Sequence, residues 1–533
     1  MNPRFFVSAL AAASIFLIFP RYNFWVWGYF LFVPLLTLTS ENSSSVKQIF
    51  WTGFFSAWVG YSAVFYWLIP TFLAAKVSIV WGGFAVTILS AYLSIYTACF
   101  FAGLNYCSRV LSERWIPLFG LCLWVVLEYA RASWFSGFPW MLLGYSQVHF
   151  LPAIQIAEWT GVYGVSALLI SANIFFANWL RLKKFHIASA LPFILLLATS
   201  IFLGQRQKYL DRNSAALTAN STTNPMTNPM TNPTMNVAVL QGNIDQYKKW
   251  DHAFVREILL RYRTLSTQVS PKAELVIWPE SALPGWVPND RDLMQWIQNT
   301  IELSPRYHLI GAVTQAAAPS SAPDQKANYN SAFLFDAQGA VVQRYDKTHL
   351  VPFGEYVPVK KWLEKWLPIL GALGGFESGK SFEPLRFNDK KIAATICYES
   401  IFPELVRQQV AHGAQLLVNL TNDGWYLQTA APEQHFSMNI LRAVENRRDL
   451  VRAANTGISG VIRADGSVAF QTKIYEQTQF EQTVRLRENQ TVYTRHGDIF
   501  AKICGLIVVL FGMIVILTEK KIENAKRVDI RIK

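Results

Sequence analysis

The chain has 533 residues, 52% of them hydrophobic and only 16% charged, where a soluble protein of this size carries about 25% charged residues. That deficit excludes a wholly water-soluble globule. The net charge of +13 would suit nucleic acid if it clustered with stacking aromatics on a soluble surface; it gathers instead in loops between apolar blocks, which argues against that partner.

Taken from the N-terminus, blocks of bilayer-crossing length predict about eight spans, at 5–20, 24–39, 49–69, 77–106, 117–129, 162–180, 187–203 and 499–518. The start, Met1-Asn-Pro-Arg4 and then an apolar run, has the first two regions of a signal peptide. No small-residue cleavage site follows Pro20 and more spans do, so the first span is read as uncleaved. Arg4, Lys47, Arg109, Arg114, Arg181, Lys183 and Lys184 fall on one side with the basic tail Lys520–Lys533, against Arg21, Lys76 and Arg131 on the other. The positive-inside rule then puts both termini in the cytoplasm and the long polar stretch between the last two spans outside it. The aromatic, breaker-rich segment Ser133-Trp-Phe-Ser-Gly-Phe-Pro-Trp140 suits a re-entrant or interfacial piece, or an ordinary aromatic belt.

Residues 205–235 form a linker with repeats at Thr223-Asn-Pro-Met, Thr227-Asn-Pro-Met and Thr231-Asn-Pro-Thr and no apolar periodicity. From Asn236 the pattern turns to short β-rich runs: 237–240, 275–277, 309–313, 332–335, 392–396 and 416–420, with a hairpin about Asp465-Gly466. Continuous apolar runs mean strands covered on both faces. The domain plan is therefore a seven-span region at 1–204, the linker, a soluble α/β domain at 236–487, and a final span with a basic tail at 488–533.

Four of the five cysteines, Cys99, Cys107, Cys122 and Cys504, lie in or beside spans, where a thiol is a small hydrophobe. Cys397 stands alone in the soluble domain, so neither a disulfide framework nor a CxxC metal site is available to it. The eight histidines show no metal-ligand spacing, and neither a P-loop nor a GxGxxG fingerprint is present. No metal or cofactor is expected, and His349 and His435 are given no role.

Three segments carry the chemistry. In Leu275-Val-Ile-Trp-Pro-Glu280 the proline ends the strand and presents Glu280 at the sheet edge, as a general base or as a helix cap or ion-pair partner. In Tyr345-Asp-Lys347-Thr-His-Leu-Val-Pro-Phe-Gly-Glu355 the lysine is either a surface ion pair or the cation at a developing oxyanion, with Glu355 orienting it. In Thr395-Ile-Cys397-Tyr-Glu-Ser400 a strand-to-helix turn would expose the sulfur, bring the backbone N–H of Tyr398 to an oxyanion, and favour thiolate. Base, cation and nucleophile are the minimum set for acyl transfer through a thioester.

As a set, Trp-Pro-Glu280, Asp-Lys347-x-His-Leu-Val-Pro-Phe-Gly-Glu355 and Cys397-Tyr-Glu make residues 236–487 resemble the carbon–nitrogen hydrolase (nitrilase) superfamily. With the flanking spans, and with Gln241-Gly-Asn-Ile244, Trp250, Asn422-Asp-Gly-Trp-Tyr426 and Gln434-His435 leading to Arg442-Ala-x-Glu445-Asn446, the whole chain is similar to the apolipoprotein N-acyltransferases of bacterial inner membranes. The resemblance implies an αββα sandwich outside the cytoplasm and a catalytic triad of Glu280, Lys347 and Cys397. It implies Glu355, Tyr398 and Glu399 in support, and Trp250, Trp425 and Tyr426 lining the site. The implied partners are a phospholipid acyl donor, typically phosphatidylethanolamine, and a diacylglyceryl apolipoprotein acceptor, with a monomer sufficient. The Thr-Asn-Pro linker and Tyr426-Leu427, where an aromatic-Gly pair is commoner, depart from the family pattern. Two rivals stand beside this: a membrane-anchored amidase or nitrilase using water, for which one anchor would suffice, and a transporter or sensor with a dead domain, which an intact triad disfavours.

Overall fold

The structure, a computed structural model, describes residues 3–39, 45–220, 233–246, 248–317, 326–357 and 375–532. The Thr-Asn-Pro repeats, apart from Pro233 and Thr234, lie outside the described residues. The chain divides into two units: Met1–Lys208 with Thr429–Leu441 and His496–Lys533, and Tyr209–Gln428 with Arg442–Arg495.

In the first unit, Ile79–Cys107, Ile116–Ser133, Val162–Leu182, Ile187–Asn213 and Ile499–Ala525 are long and apolar enough to cross a membrane, and Val46–Val64 with Leu68–Ala74 makes a sixth bent by 45°. The first two expected spans are shorter apolar stretches, Ala9–Ile18 and Trp25–Thr39. Each contains a 3₁₀ segment, Ser14–Ile18 and Trp25–Tyr29, a helix type whose strained hydrogen bonds keep it short.

Past Ser133 the helix stops, and the chain runs on without regular structure to the 3₁₀ turn Leu143–Gln147. Phe135 is 93% exposed, but Trp140 is buried, so it belongs to no surface belt. Buried irregular backbone must find partners among side chains. Arg131 supplies them, donating to the carbonyls of Phe138 and Trp140 and to the Tyr61 hydroxyl. Glu128 accepts from the Leu143 N–H at 2.7 Å, and Ser166 from that of Gly144 at 2.9 Å. Gln434, in the same unit, accepts from the indoles of Trp67 and Trp140 and donates to the carbonyls of Pro20 and Val64.

The second unit is a sandwich of two sheets. In chain order its strands are β1 Thr234–Gln241, β2 Leu275–Ile277, β3 Tyr307–Ala317, β4 Lys326–Phe335, β5 Val341–Asp346, β6 Leu385–Phe387, β7 Lys390–Ile396, β8 Leu416–Thr421, β9 Leu450–Ala454, β10 Gly460–Ile462, β11 Val468–Gln471 and β12 Thr478–Arg485. One sheet runs β12-β1-β2-β3-β4-β5 and the other β11-β10-β9-β8-β7-β6. The strand period of two decides what each face meets. Val237 and Val239 of β1 join Leu275, Ile277 and Leu309 in a core with Ile392, Ala394, Ile396, Leu416 and Val418 of the second sheet. Their neighbours Ala238, Leu240, Val276 and Trp278 pack outward against Ile258, Tyr262, Leu293 and Ile297, which lie on the amphipathic helices Val255–Thr267 and Arg291–Glu302. The layered α/β arrangement expected from the apolar runs is thus present, and β10–β11 is the hairpin expected at Asp465-Gly466.

The sandwich also buries charge. Arg452 of β9 and Asp423 are both wholly buried and paired at 2.8 Å, with Arg452 donating further to Asn419 and to the Ile458 carbonyl. Breaking such a pair by removing one partner costs about 3–5 kcal/mol. Arg452→Met is therefore expected to destabilise the protein by about that amount, measured as the midpoint of chemical unfolding in detergent; an unchanged midpoint would show that Asp423 does not depend on this cation.

Candidate active site

Glu280 is placed by a break in β2. The ladder continues through Trp278, whose N–H donates to the Leu309 carbonyl, and resumes at Ala282, which donates to Gly311. Pro279, lacking an N–H, lies in the gap. Gly311 faces this turn so closely that a Cβ there would sit 2.3 Å from the Pro279 carbonyl oxygen and 2.7 Å from Glu280 Cα. The Trp278 indole donates to His308 and stacks on Tyr262, which anchors the strand end.

Lys347 follows β5 and is held by its own backbone, donating to the Asn330 carbonyl and accepting from Gly379. Its side chain is buried, with Nζ 2.7 Å from Glu355 and 3.7 Å from Glu280. Asn330 of β4 binds both carboxylates through one amide nitrogen, at 2.7 Å to Glu280 and 3.1 Å to Glu355. The second oxygen of Glu355 accepts from the Val351 N–H. Burial opposes the Lys347 charge, but Glu355, then Glu280 and Cys397, outweigh it and hold the group well above the ordinary lysine value. The surface ion pair left open by the sequence is excluded: this ammonium is interior.

Cys397 begins the 3₁₀ turn Cys397–Ile401 at the end of β7, with φ of +53°, a left-handed conformation uncommon for any residue but glycine. Two expectations fail here. The residue is only 6% exposed, so the turn does not lay the sulfur bare. Nor is thiolate favoured: burial first, then the Glu280 and Asp423 charges, push the thiol well above its ordinary value against the pull of Lys347.

Glu399 fastens the Cys397 turn to the Lys347 loop. One oxygen accepts from the Tyr345 hydroxyl, the Thr348 N–H and hydroxyl and the His349 N–H, and the other from the Ile396 N–H. Its carboxyl is nevertheless raised from its ordinary value by burial, the Ile396 N–H opposing. Burial and then the Lys347 charge push the His349 ring down to about 4, so it is neutral at physiological pH. Its ring lies 3.8 Å from Phe402.

Tyr398 is buried next to the nucleophile, its ring against Phe402. Tyr426 is half-buried, and the groups acting on its phenol include Cys397, Asp423, Tyr398 and Glu280, which turns it toward the same centre. Trp425 is exposed beside it. Trp250 is 48% exposed and lies near Trp286, their ring centroids 6.3 Å apart. Asn330 and Tyr345 are the residues the sequence reading missed. Asn330 had no signal of its own: β4 also carries Lys326, Asn328 and Ser331, and the apolar run that marks it as a strand begins only at Ala332.

The residue set suits one kind of chemistry: a protonated thiol that would lose its proton on attack, a carboxylate able to take it, and a cation held beside that carboxylate. Residues 236–487 match the carbon–nitrogen hydrolase family model, and residues 11–175 match that of the apolipoprotein N-acyltransferase N-terminal domain. The apolipoprotein N-acyltransferase of Geobacter metallireducens is 34% identical over 94% of this chain and 93% of its own length. That of Haemophilus influenzae is 28% identical over 95% and 93%. Among solved structures, an amidase from Nesterenkonia sp. aligns with a TM-score of 0.34 at 20% identity, over 50% of this chain and 95% of its own. A carbon–nitrogen hydrolase from Helicobacter pylori aligns at 0.35 and 15%, over 47% and 88%.

Glu399→Gln tests the clasp. An amide has only one acceptor oxygen, so one set of backbone donors would face an NH₂ group, at about 1–3 kcal/mol for each buried group left unpaired. Acylation of Cys397 is expected to slow by roughly 10- to 100-fold, followed as adduct mass against time. A wild-type rate would mean that the five donors to Glu399 do not position the nucleophile.

Proposed function

The chain belongs to the apolipoprotein N-acyltransferase family, membrane enzymes of lipoprotein N-acylation built on a carbon–nitrogen hydrolase domain, and we propose how its own residues divide that work. In the first half-reaction Cys397 Sγ attacks an ester carbonyl of a membrane phospholipid, phosphatidylethanolamine by preference, while Glu280 takes the thiol proton. The Lys347 ammonium holds the oxyanion. As the C–O bond breaks, Glu280 returns the proton to the leaving alkoxide, and a lysophospholipid departs from a Cys397 thioester.

In the second half-reaction the α-amine of an S-diacylglyceryl cysteine at an apolipoprotein N-terminus attacks that thioester. Glu280 takes the amine proton, the C–S bond breaks, and the proton passes to the cysteine sulfur. Glu355 keeps Lys347 charged and aimed, Glu399 and Tyr398 shape the nucleophile's turn, and Trp250, Trp425 and Tyr426 line the approach.

The observation that carries this reading is the buried Lys347 ammonium shared by Glu355 and Glu280. Such a cation costs no reorganisation when negative charge develops beside it. The loop charges support placing the catalytic domain on the periplasmic face of the inner membrane with both termini in the cytoplasm. One copy of the chain holds every group the two steps need.

Intact mass after incubation with phosphatidylethanolamine tests the proposal. Wild type is expected to gain a hydroxylamine-labile acyl adduct that vanishes when a diacylated lipopeptide is added; Cys397→Ala is expected to gain none. An adduct that decays to free fatty acid whether or not lipopeptide is present would replace transfer by hydrolysis.

A further inference from the structure

The segment between β1 and the 3₁₀ turn His252–Phe254 holds an ammonium that the two half-reactions do not use. It is pinned from several directions. The Asn243 N–H donates to the Asn455 carbonyl at 2.9 Å, Ile244 exchanges hydrogen bonds with the Asn455 side chain, and Gln246 bonds Asn422. Lys248 donates its N–H to Asp245 and accepts from Asp251, closing two successive turns. These constraints separate two adjacent lysines. Lys248 lies at the surface with its ammonium 4.7 Å from the centre of the Phe254 ring. Lys249 is 0% exposed.

Among the described residues, Lys249 Nζ has no hydrogen-bond partner. Glu280 is the charged group acting on it, yet forms no ion pair with it and lies 3.7 Å from the other ammonium, Lys347. Burial pushes Lys249 down to about 8, with Glu280 pulling the other way, so most of it is charged at neutral pH. An interior ammonium without a partner costs several kcal/mol. Lys347 has its carboxylates already, whereas Lys249 feels the Glu280 charge without a hydrogen-bond partner among the described residues.

A cation kept under these conditions suits an anion that arrives with a substrate. The two substrates differ in this respect. The acceptor presents an amine at its reacting end, which an ammonium repels or ignores. The donor carries a phosphodiester one glycerol skeleton away from the ester that Cys397 attacks. We propose that Lys249 is a donor-binding residue, pairing with the lipid phosphodiester and so selecting phospholipid over neutral glycerides in the first half-reaction. This rests on the acyl-donor reading above.

The test compares acylation of Cys397 by phosphatidylethanolamine and by diacylglycerol of the same chains, each in mixed micelles without acceptor and read by intact mass. Wild type is expected to prefer the phospholipid. Lys249→Met should cut that preference by about tenfold or more, the scale of one hydrogen bond to a charged group, and Lys249→Arg should retain most of it. Lys249→Gln, of similar length and uncharged, gives the same ratio should the methionine variant not fold. Equal slowing of both donors, or an unchanged preference, overturns the proposal. Adding the lipopeptide to acylated wild type separates this from the premise: no transfer there defeats the acyltransferase reading, while the donor ratio still judges Lys249.

Discussion

The arrangement turns on one buried charge. A lysine ammonium in the interior is costly unless counter-charges and hydrogen bonds replace its lost hydration. Lys347 obtains them from Glu355 and Glu280, and those carboxylates need Asn330 and the Val351 N–H in turn. The participants enter from three places along one sheet: Glu280 after β2, Asn330 within β4, and Lys347, Val351 and Glu355 from the loop after β5. Only a sheet with β2, β3, β4 and β5 in that lateral order brings them to one place. The order is thus a condition for burying the cation as well as for covering apolar faces.

The opposite sheet brings the nucleophile, and Glu399 joins the two. Its carboxylate collects a hydroxyl from Tyr345 on β5, backbone donors from the Lys347 loop, and the N–H of Ile396 at the end of β7. A neutral core between the sheets fixes their spacing to within a side chain. A multiply bonded carboxylate fixes it more finely, because its partners lose their bonds on a small slip. Arg452 with Asp423, and Arg442 with Glu445, add wholly buried ion pairs in the same unit. Pairs of this kind give little net stability and demand good geometry, which suits a site needing its groups in register.

Much of this was legible in the chain because the relevant signals are local. Trp278-Pro279-Glu280 announces a strand end by the missing N–H of proline, and β2, β7 and β8 are continuous apolar runs because both their faces are covered. What stayed hidden is what depends on distant partners. β12 pairs with β1 across some of the longest separations in the unit and is too polar to stand out as a strand. Half of β5 is exposed and its second half is polar, so its run lacks the apolar signature. Asn330 and Tyr345 gain their meaning only from the residues facing them. In the first unit, hydropathy located apolar segments but not their breaks, since 3₁₀ turns and the Arg131–Glu128 support of 138–144 arise from tertiary contacts.

The nucleophile shows how context reverses an inference from type and position. A cysteine at a strand-to-helix bend beside a lysine reads as an exposed thiolate, because helix ends and cations both lower a thiol's pKa. Here the bend lies inside the sandwich, and the cation is already committed to two carboxylates. Burial and the nearby negative charges outweigh the lysine, so the resting group is a neutral thiol. The proposed attack by Cys397 then requires proton loss in the same event, which would tie it to Glu280 more tightly than a standing thiolate. A neutral, covered thiol is also a poor target for oxidants, since oxidation follows thiolate character and exposure. The burial that keeps the Cys397 thiol neutral therefore also shields the second unit's one described cysteine.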